Sequence, residues 1–209
     1  MTPAARPRAR KGEGERLRDE IIAAADQLLV ETASEDAVSI RAVADAVGVT
    51  PPSIYRHFPD KESLLVAVCL HSFDSFTEVM REARNPDDPL AGLRTLARAY
   101  VRYGLEHPEH YRIMFMDRLE ISAELYAAEL MSESSSFGVL IETVRALKGS
   151  GVLRSTLVEM DDFHLGVLLW SSVHGLTSLF VAKPNLPWAD QEALVDDACD
   201  LILNGVLKR

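Results

Sequence analysis

Three features of the chain predict an all-α fold. Apolar residues recur at the three- and four-residue spacing that lines one face of a helix. Period-two alternation is scarce, and no hairpin signal separates two such stretches. Proline and glycine clusters instead punctuate long periodic runs, at Asn85-Pro86-Asp87-Asp88-Pro89, Gly149-Ser150-Gly151 and Lys183-Pro184-Asn185-Leu186-Pro187. About nine helices follow, divided between a small N-terminal domain of three helices over residues 13–65 and a larger helical domain over 66–209.

Residues 1–12 carry Pro3, Pro7 and Gly12 and are predicted to be a disordered basic tail. A first helix is expected from about Glu13 to Thr32, with Leu17, Ile21, Ala24, Ala25, Leu28 and Leu29 on its inner stripe. Ser39 is a suitable N-cap for a second helix over 40–47, because its hydroxyl can accept from a free first-turn amide. Ile40, Val43, Ala44 and Val47 form the apolar stripe of that helix. Gly48 stands where the helix must stop and the backbone must take positive φ. Pro51-Pro52 then open a third helix over 51–57, at positions where a missing amide costs nothing.

The turn Phe58-Pro59-Asp60 follows, and Asp60 caps a long helix that runs to about Ala83. Beyond the break at 85–89, helices are expected over 89–106, 108–116, 119–148, 161–182 and 189–207. The pair over 40–57 is a helix-turn-helix, whose second helix has the form that enters a DNA major groove. Ile54 and Phe58 read as its core, while Ser53, Tyr55, Arg56 and His57 spread over its other faces.

The block Val47-Gly48-Val49-Thr50, Ser53-Ile54-Tyr55-Arg56-His57-Phe58, Asp60-Lys61-Glu62 and Leu64-Leu65 resembles the signature of the TetR family of transcriptional regulators. The glycine turn is common to many helix-turn-helix proteins. The run Tyr55-x-His57-Phe58 followed by Lys61-Glu62 is much more specific. The resemblance implies a DNA-binding set of Arg41, Thr50, Pro51, Pro52, Ser53, Tyr55, Arg56, His57 and Lys61. Within that set, Arg41, Pro51, Pro52, Ser53 and Arg56 are implied to face the groove, and Tyr55, His57 and Lys61 to bind backbone phosphates. The chemistry fits those roles. Arg can grip guanine O6 and N7 together, whereas a Tyr hydroxyl or a Lys ammonium fixes register without reading sequence. Pro51 departs from the polar residue common at its position, which removes a hydrogen-bonding reader and leaves an apolar contact such as one with a thymine methyl.

His107-Pro108-Glu109-His110-Tyr111-Arg112-Ile113-Met114-Phe115, with Trp170-Ser171-Ser172-Val173-His174-Gly175-Leu176, resembles the C-terminal domain of a TetR subgroup named for its Trp-His-Gly stretch. The resemblance implies a body that binds a small molecule and forms a homodimer through the last two helices. Those helices carry more apolar surface than one buried face needs, and Gly166, Ser171, Ser172 and Gly175 would let helices approach closely. The candidate ligand-binding residues are Tyr103, Met114, Phe115, Phe137, Trp170 and His174, since aromatic and Met side chains line apolar cavities. Each is also an ordinary core residue by type. His174 is the polar group on an apolar helix, placed either to orient a ligand or to satisfy a neighbouring carbonyl.

The net charge of −10 is unusual for a DNA binder, so its distribution matters. Residues 1–65 hold 9 Lys/Arg against 11 Asp/Glu, while 66–209 hold 13 against 21. Arg6, Arg8, Arg10 and Lys11 stand in the tail without an acid, so the tail either lies along DNA or only solubilises the chain.

No apolar run is expected to reach the ~18 residues of a membrane span, so no membrane partner is expected. No apolar segment follows the basic N-terminal residues either, and a cytoplasmic protein is expected. Cys69 and Cys199 make neither a disulfide framework nor a Cys-x-x-Cys pair. His107 and His110 have i,i+3 spacing but straddle Pro108 with no further pair, so no metal or cofactor is expected. With no nucleophile–base motif and no phosphate loop, the chain does not read as an enzyme. The reading is a regulator that binds a roughly palindromic double-stranded operator as a homodimer. A small apolar or amphipathic effector releases it; the alternative is a TetR-like regulator that answers to a protein partner or to nothing.

Overall fold

The computed structural model describes residues 13–116, 119, 124, 127, 128, 132–188 and 190–207, and these residues form helices with no strand among them. The basic tail over 1–12 lies outside the described residues. In order, the helices are α1 (Glu13–Thr32), a 3-10 turn (Glu35–Ala37), α2 (Ile40–Val47), α3 (Pro51–Tyr55) and α4 (Lys61–Glu82). Then come α5 (Pro89–Glu106), α6 (Pro108–Phe115), α7 (Ser136–Gly149), α8 (Ser155–Val158), α9 (Asp162–Ala182) and α10 (Gln191–Val206).

The chain divides into two compact units. Among the described residues, the first takes in 13–72 and 112–116, and the second 73–111 and 132–207. The boundaries fall within α4 and α6.

In the first unit, the inner stripe of α1 buries Ile21, Ala25 and Leu29 with Val43 and Ala44 of α2, Ile54 of α3 and Phe58 after it. Arg18 of α1 sits with its guanidinium 5.2 Å from the Phe58 ring centroid, a cation–π contact over the edge of that core. The Cys69 thiol is buried and donates to the Ile113 carbonyl at 3.4 Å, as a small core residue does.

In the second unit, Phe137, Leu140, Val144 and Leu147 of α7 pack with Leu153 and with Leu165 and Leu169 of α9. A second cluster joins Val101 of α5, Phe180 of α9, and Val195 and Cys199 of α10. Ion pairs bind the outer edges of this unit: Arg94 to Asp200 and Arg98 to Asp196 tie α5 to α10, and Arg84 reaches Glu142 at 2.7 Å. At the end of α10, the Arg154 guanidinium donates to the Leu207 carbonyl at 3.0 Å and to the Asn204 carbonyl at 3.3 Å, capping groups that the helix leaves unpaired.

One expected element is corrected. The single helix over 119–148 does not exist as such, because α7 begins afresh at Ser136. Ser135 has extended backbone, and its hydroxyl accepts from the Gly138 amide at 3.0 Å. Gly138 is required there, since a Cβ would meet the Ser132 and Glu133 carbonyl oxygens at 2.6 Å. The part of that expected helix over 120–123, 125–126 and 129–131 lies outside the described residues. Two short elements, the 3-10 turn and α8, are additions to the expected set.

By length and composition alone, α4 and α9 are apolar enough to cross a membrane, although Ser171, Ser172, His174 and Gly175 interrupt the α9 run. Just over half of the α4 window is buried within the protein, and 28% of the α9 window.

Candidate nucleic-acid interface and effector site

The helix-turn-helix is built by local chemistry. The Ser39 hydroxyl accepts from the Ala42 amide at 3.1 Å and starts α2. Gly48 ends α2 in the left-handed region with φ 73° and ψ 35°, and its amide returns to the Ala44 and Asp45 carbonyls. Space around Gly48 is open, so the backbone angle rather than crowding demands glycine. Thr50 then takes extended backbone, Pro51 and Pro52 fill the first two positions of α3, and the Ser53 amide donates to the Thr50 carbonyl at 2.8 Å.

Ile54 and Phe58 are the inward residues of this segment, both essentially fully buried. Pro51, Pro52, Tyr55 and Arg56 are exposed, with 54% of the Tyr55 surface open, and Ser53 and His57 are half-buried. Arg41 is exposed in the first turn of α2, Thr50 is exposed before α3, and Lys61 is half-buried at the start of α4. All nine residues of the expected DNA-binding set therefore keep accessible surface while their neighbours form the core.

Asp60 sets the position of Lys61. Its carboxylate accepts from the Ser63 amide at 2.7 Å, while its own amide and carbonyl bond the Ser63 hydroxyl at 3.3 and 2.9 Å. This is a capping box with Ser at the third position, and the Ser63 bonds hold the Asp60 carboxyl below the usual carboxylate range. Lys61 Nζ lies 3.9 Å from Asp36 Oδ1. Sequence spacing gave no sign of that acid, which the 3-10 turn delivers. Among the described residues, Arg41 and Arg56 have no ion pair.

The expected effector residues divide between the units. Met114 is buried and Phe115 half-buried in the first, whereas Tyr103, Phe137, Trp170 and His174 belong to the second. Tyr103 is buried against Phe76, with ring centroids 4.9 Å apart, and Phe137 lies edge-on to Trp170 at 6.0 Å.

Trp170 and His174 belong to a hydrogen-bonded network that includes three residues missed from sequence, Tyr100, Tyr111 and Ser178. The Trp170 indole donates to the Tyr100 hydroxyl at 3.1 Å. The hydroxyls of Tyr100 and Tyr111 both stand 2.9 Å from His174 Nδ1. The Tyr111 hydroxyl also reaches the His174 carbonyl at 3.2 Å and the Ser178 hydroxyl at 3.0 Å. One imidazole lone pair takes one good hydrogen bond, so a Tyr100 proton on Nδ1 leaves Tyr111 to donate to the carbonyl. Burial pushes the His174 imidazole below its ordinary pKa and the Tyr111 phenol above its own. Both effects keep the network neutral.

Gly104 brings α5 and α9 together at this point. A Cβ there would lie 2.5 Å from Thr177 Cγ2 and 3.0 Å from the Tyr111 ring. Gly166 likewise faces inward, against Ile141 and Phe137. Among the described residues, every buried side-chain nitrogen and oxygen has a partner. A cleft of about 380 Å³ opens elsewhere in the second unit, lined by Asp74, Ser75, Thr77, Glu78, Arg81 and Ser134. It is polar and contains none of the expected effector residues.

The last two helices keep apolar groups outside. Leu168, Ser171, Ser172, Gly175 and Leu179 follow at helical spacing along the exposed side of α9, with Leu168 46% and Leu179 51% exposed. Leu201 on α10 is 78% exposed. Of the four small residues expected at a helix interface, Gly166 is thus within the unit's own core, and the other three lie on the outer face.

Residues 21–68 match the family model described as bacterial regulatory proteins, tetR family, and residues 93–202 match the model for the tetracyclin repressor-like C-terminal domain. The HTH-type transcriptional regulator RutR of Escherichia coli O157:H7 is 28% identical over 130 residues, which are 62% of this chain and 59% of that protein. The chain thus spans about three fifths of the length of this curated relative. A solved structure of a protein with unknown function from Rhodococcus sp. RHA1 superposes with a TM-score of 0.75 at 23% identity, covering 92% of this chain and 96% of that one. A bacterial regulatory protein in the TetR family from Rhodococcus RHA1 gives 0.67 at 22% identity, covering 92% and 97%. At such identities, the two structures speak to the fold.

Proposed function

Because this chain belongs to the TetR family of bacterial regulatory proteins, we propose that it is a sequence-specific, DNA-binding transcriptional repressor, released from its operator by a small apolar or amphipathic molecule. The observation that carries the DNA-binding part is the helix-turn-helix, in which buried Ile54 and Phe58 leave Tyr55 and Arg56 exposed at the end of a helix held by the Gly48 turn. Arg41 and Arg56 are the base readers, and Tyr55, His57 and Lys61 grip phosphates. Lys61 must exchange Asp36 for a phosphate, a small step for a pair that is 3.9 Å apart and exposed.

A palindromic operator calls for two heads, and the outer face of α9 and α10 supplies the second copy's docking surface. The stripe from Leu168 to Leu179 is apolar at its ends and small in its middle, which suits close packing of two-fold related helices. Covering it with a second copy also accounts for the apolar composition of α9 without a membrane. Acting on chromosomal DNA, the dimer works in the cytoplasm.

Effector binding belongs to the second unit, which holds Tyr103, Phe137, Trp170 and His174, the last three joined in a row by ring contacts. Differential affinity of the effector for two arrangements of the dimer would couple the sites by about 1–3 kcal/mol. One observation favours a second reading, a regulator without a small-molecule effector: Tyr100, Tyr111 and Ser178 already satisfy His174 within the protein.

The test is to select operator DNA from a random pool with the full-length protein and to measure affinity as duplex is titrated. Tyr55→Ala and Lys61→Ala should each weaken binding, and Lys61→Ala should also lower its salt dependence. Operator binding by both variants equal to the wild type would overturn the assignment of the head.

A further inference from the structure

The entry to α3 is almost devoid of hydrogen-bond donors, and this constrains what it can read. Pro51 and Pro52 have no amide proton and are both exposed. The next amide, that of Ser53, is taken by the Thr50 carbonyl at 2.8 Å. The hydroxyls of Thr50 and Ser53 stand 3.2 Å apart and bond one another. One proton of the pair is spent in that bond, so beyond the Thr50 amide at its start the segment from Thr50 to Ser53 offers a single hydroxyl proton and two exposed pyrrolidine rings.

We propose that Pro51 is a specificity determinant that selects a thymine 5-methyl group in each operator half-site, a reading that rests on the DNA-binding function above. In the major groove, guanine and adenine present N7, guanine O6 and thymine O4 as acceptors, and cytosine and adenine present amino donors. The thymine methyl is the one apolar feature among these edges. A polar edge opposite Pro51 gives up its bond to water and receives none in return. A methyl placed there leaves water at no such cost. The contact is a preference for carbon against carbon, enforced by the scarcity of donors around it.

The experiment replaces thymidine by deoxyuridine, one position at a time, in the duplex selected by the full-length protein. This change removes the methyl group and keeps the base pair. Loss of one methyl contact should weaken binding about fourfold at one thymine per half-site, with neighbouring substitutions near neutral. Pro51→Ala should bind the thymidine and deoxyuridine duplexes alike at that position, while Arg41→Ala should keep the difference. Equal affinity for thymidine and deoxyuridine at every position overturns the proposal, as does an undiminished uridine penalty in Pro51→Ala. The scan with wild-type protein needs no variant to fold. A protein that selects no sequence at all fails the DNA-binding reading and takes this one with it, whereas selection without methyl dependence fails this one alone.

Discussion

Replacing Gly104 by Ala tests whether α5 and α9 cross as closely as the structure has them. The added Cβ would lie 2.5 Å from Thr177 Cγ2, where ordinary contact begins near 3.4 Å, so one side must give by about 1 Å. Thr177 cannot rotate away cheaply. It is fully buried, and its hydroxyl donates to the Val173 carbonyl at 2.8 Å. The second neighbour, the Tyr111 ring edge at 3.0 Å, is pinned by its hydroxyl bonds to the His174 carbonyl and Ser178. With both neighbours tethered, the strain belongs near the upper end of ~1–3 kcal/mol for overpacking. Ala for Gly within a helix returns up to ~1 kcal/mol. The net loss is therefore about 2 kcal/mol, or roughly 5–10 °C in the melting midpoint of a unit this size. Both tryptophans, Trp170 and Trp188, lie in the second unit, so their fluorescence follows that unit's unfolding in urea or heat. Thr177→Ser removes the methyl that the new Cβ meets, and the double variant should recover most of the loss. A Gly104→Ala protein as stable as the wild type, or a double variant no better than the sum of the singles, would refute the close crossing.

Two further outcomes are expected. Gly175→Arg projects into open space on the outer face of α9, so it should leave the fold intact and convert the dimer to monomer, as read by light scattering after size exclusion; a dimer of unchanged affinity would count against that face. Burial lowers the His174 pKa, so the unfolded chain takes up a proton near the usual ~6.5 while the folded network does not. The stabilisation from neutral His174 is complete above that value and is lost as pH falls from it toward the folded pKa. Urea titrations between pH 7.5 and 5.5 should show this slope in the wild type and a flatter one in His174→Gln, and identical slopes would remove the network from the account.

How much of this was legible in the chain depended on sequence distance. Ser39, Gly48 and Asp60 act on groups three or four residues away, so those caps and the turn of the head follow from residue type alone. Ile54 and Phe58 read as core for the same reason, since one helix face repeats at that spacing. The second unit turns on pairs that lie far apart in sequence. Tyr100 and Tyr111 look like unremarkable helix residues until α5 and α6 bring their hydroxyls to the imidazole of His174. The His-Pro-Glu-His-Tyr and Trp-His-Gly stretches together carry the resemblance of the C-terminal part, and the bonds among Trp170, Tyr100, His174 and Tyr111 give that pairing a physical cause. The overlong helix over 119–148 failed for a local reason that was available. Ser135 before Ser136-Phe137-Gly138 is a capping sequence, set in the polar run Ser132-Glu133-Ser134-Ser135.

The acidity of the chain also takes on a definite meaning. In the second unit, Arg84, Arg94, Arg98, Arg145 and Lys148 each face a carboxylate, the last two sharing Asp162, so these five cations are compensated locally. The surplus of acid there is what remains after those pairs. In the head, Arg41 and Arg56 have no ion-pair partner among the described residues, and Lys61 has only a loose one. Exposed charges interact strongly only within about 8–10 Å at physiological salt. A duplex held against the helix-turn-helix therefore meets a few uncompensated cations, and the net charge of −10 is an average that no phosphate at that surface experiences. Few cations also mean a shallow salt dependence. Discrimination then has to come from the base edges, which is why a donor-poor contact such as Pro51 would matter to this head more than to one resting on a broad basic surface.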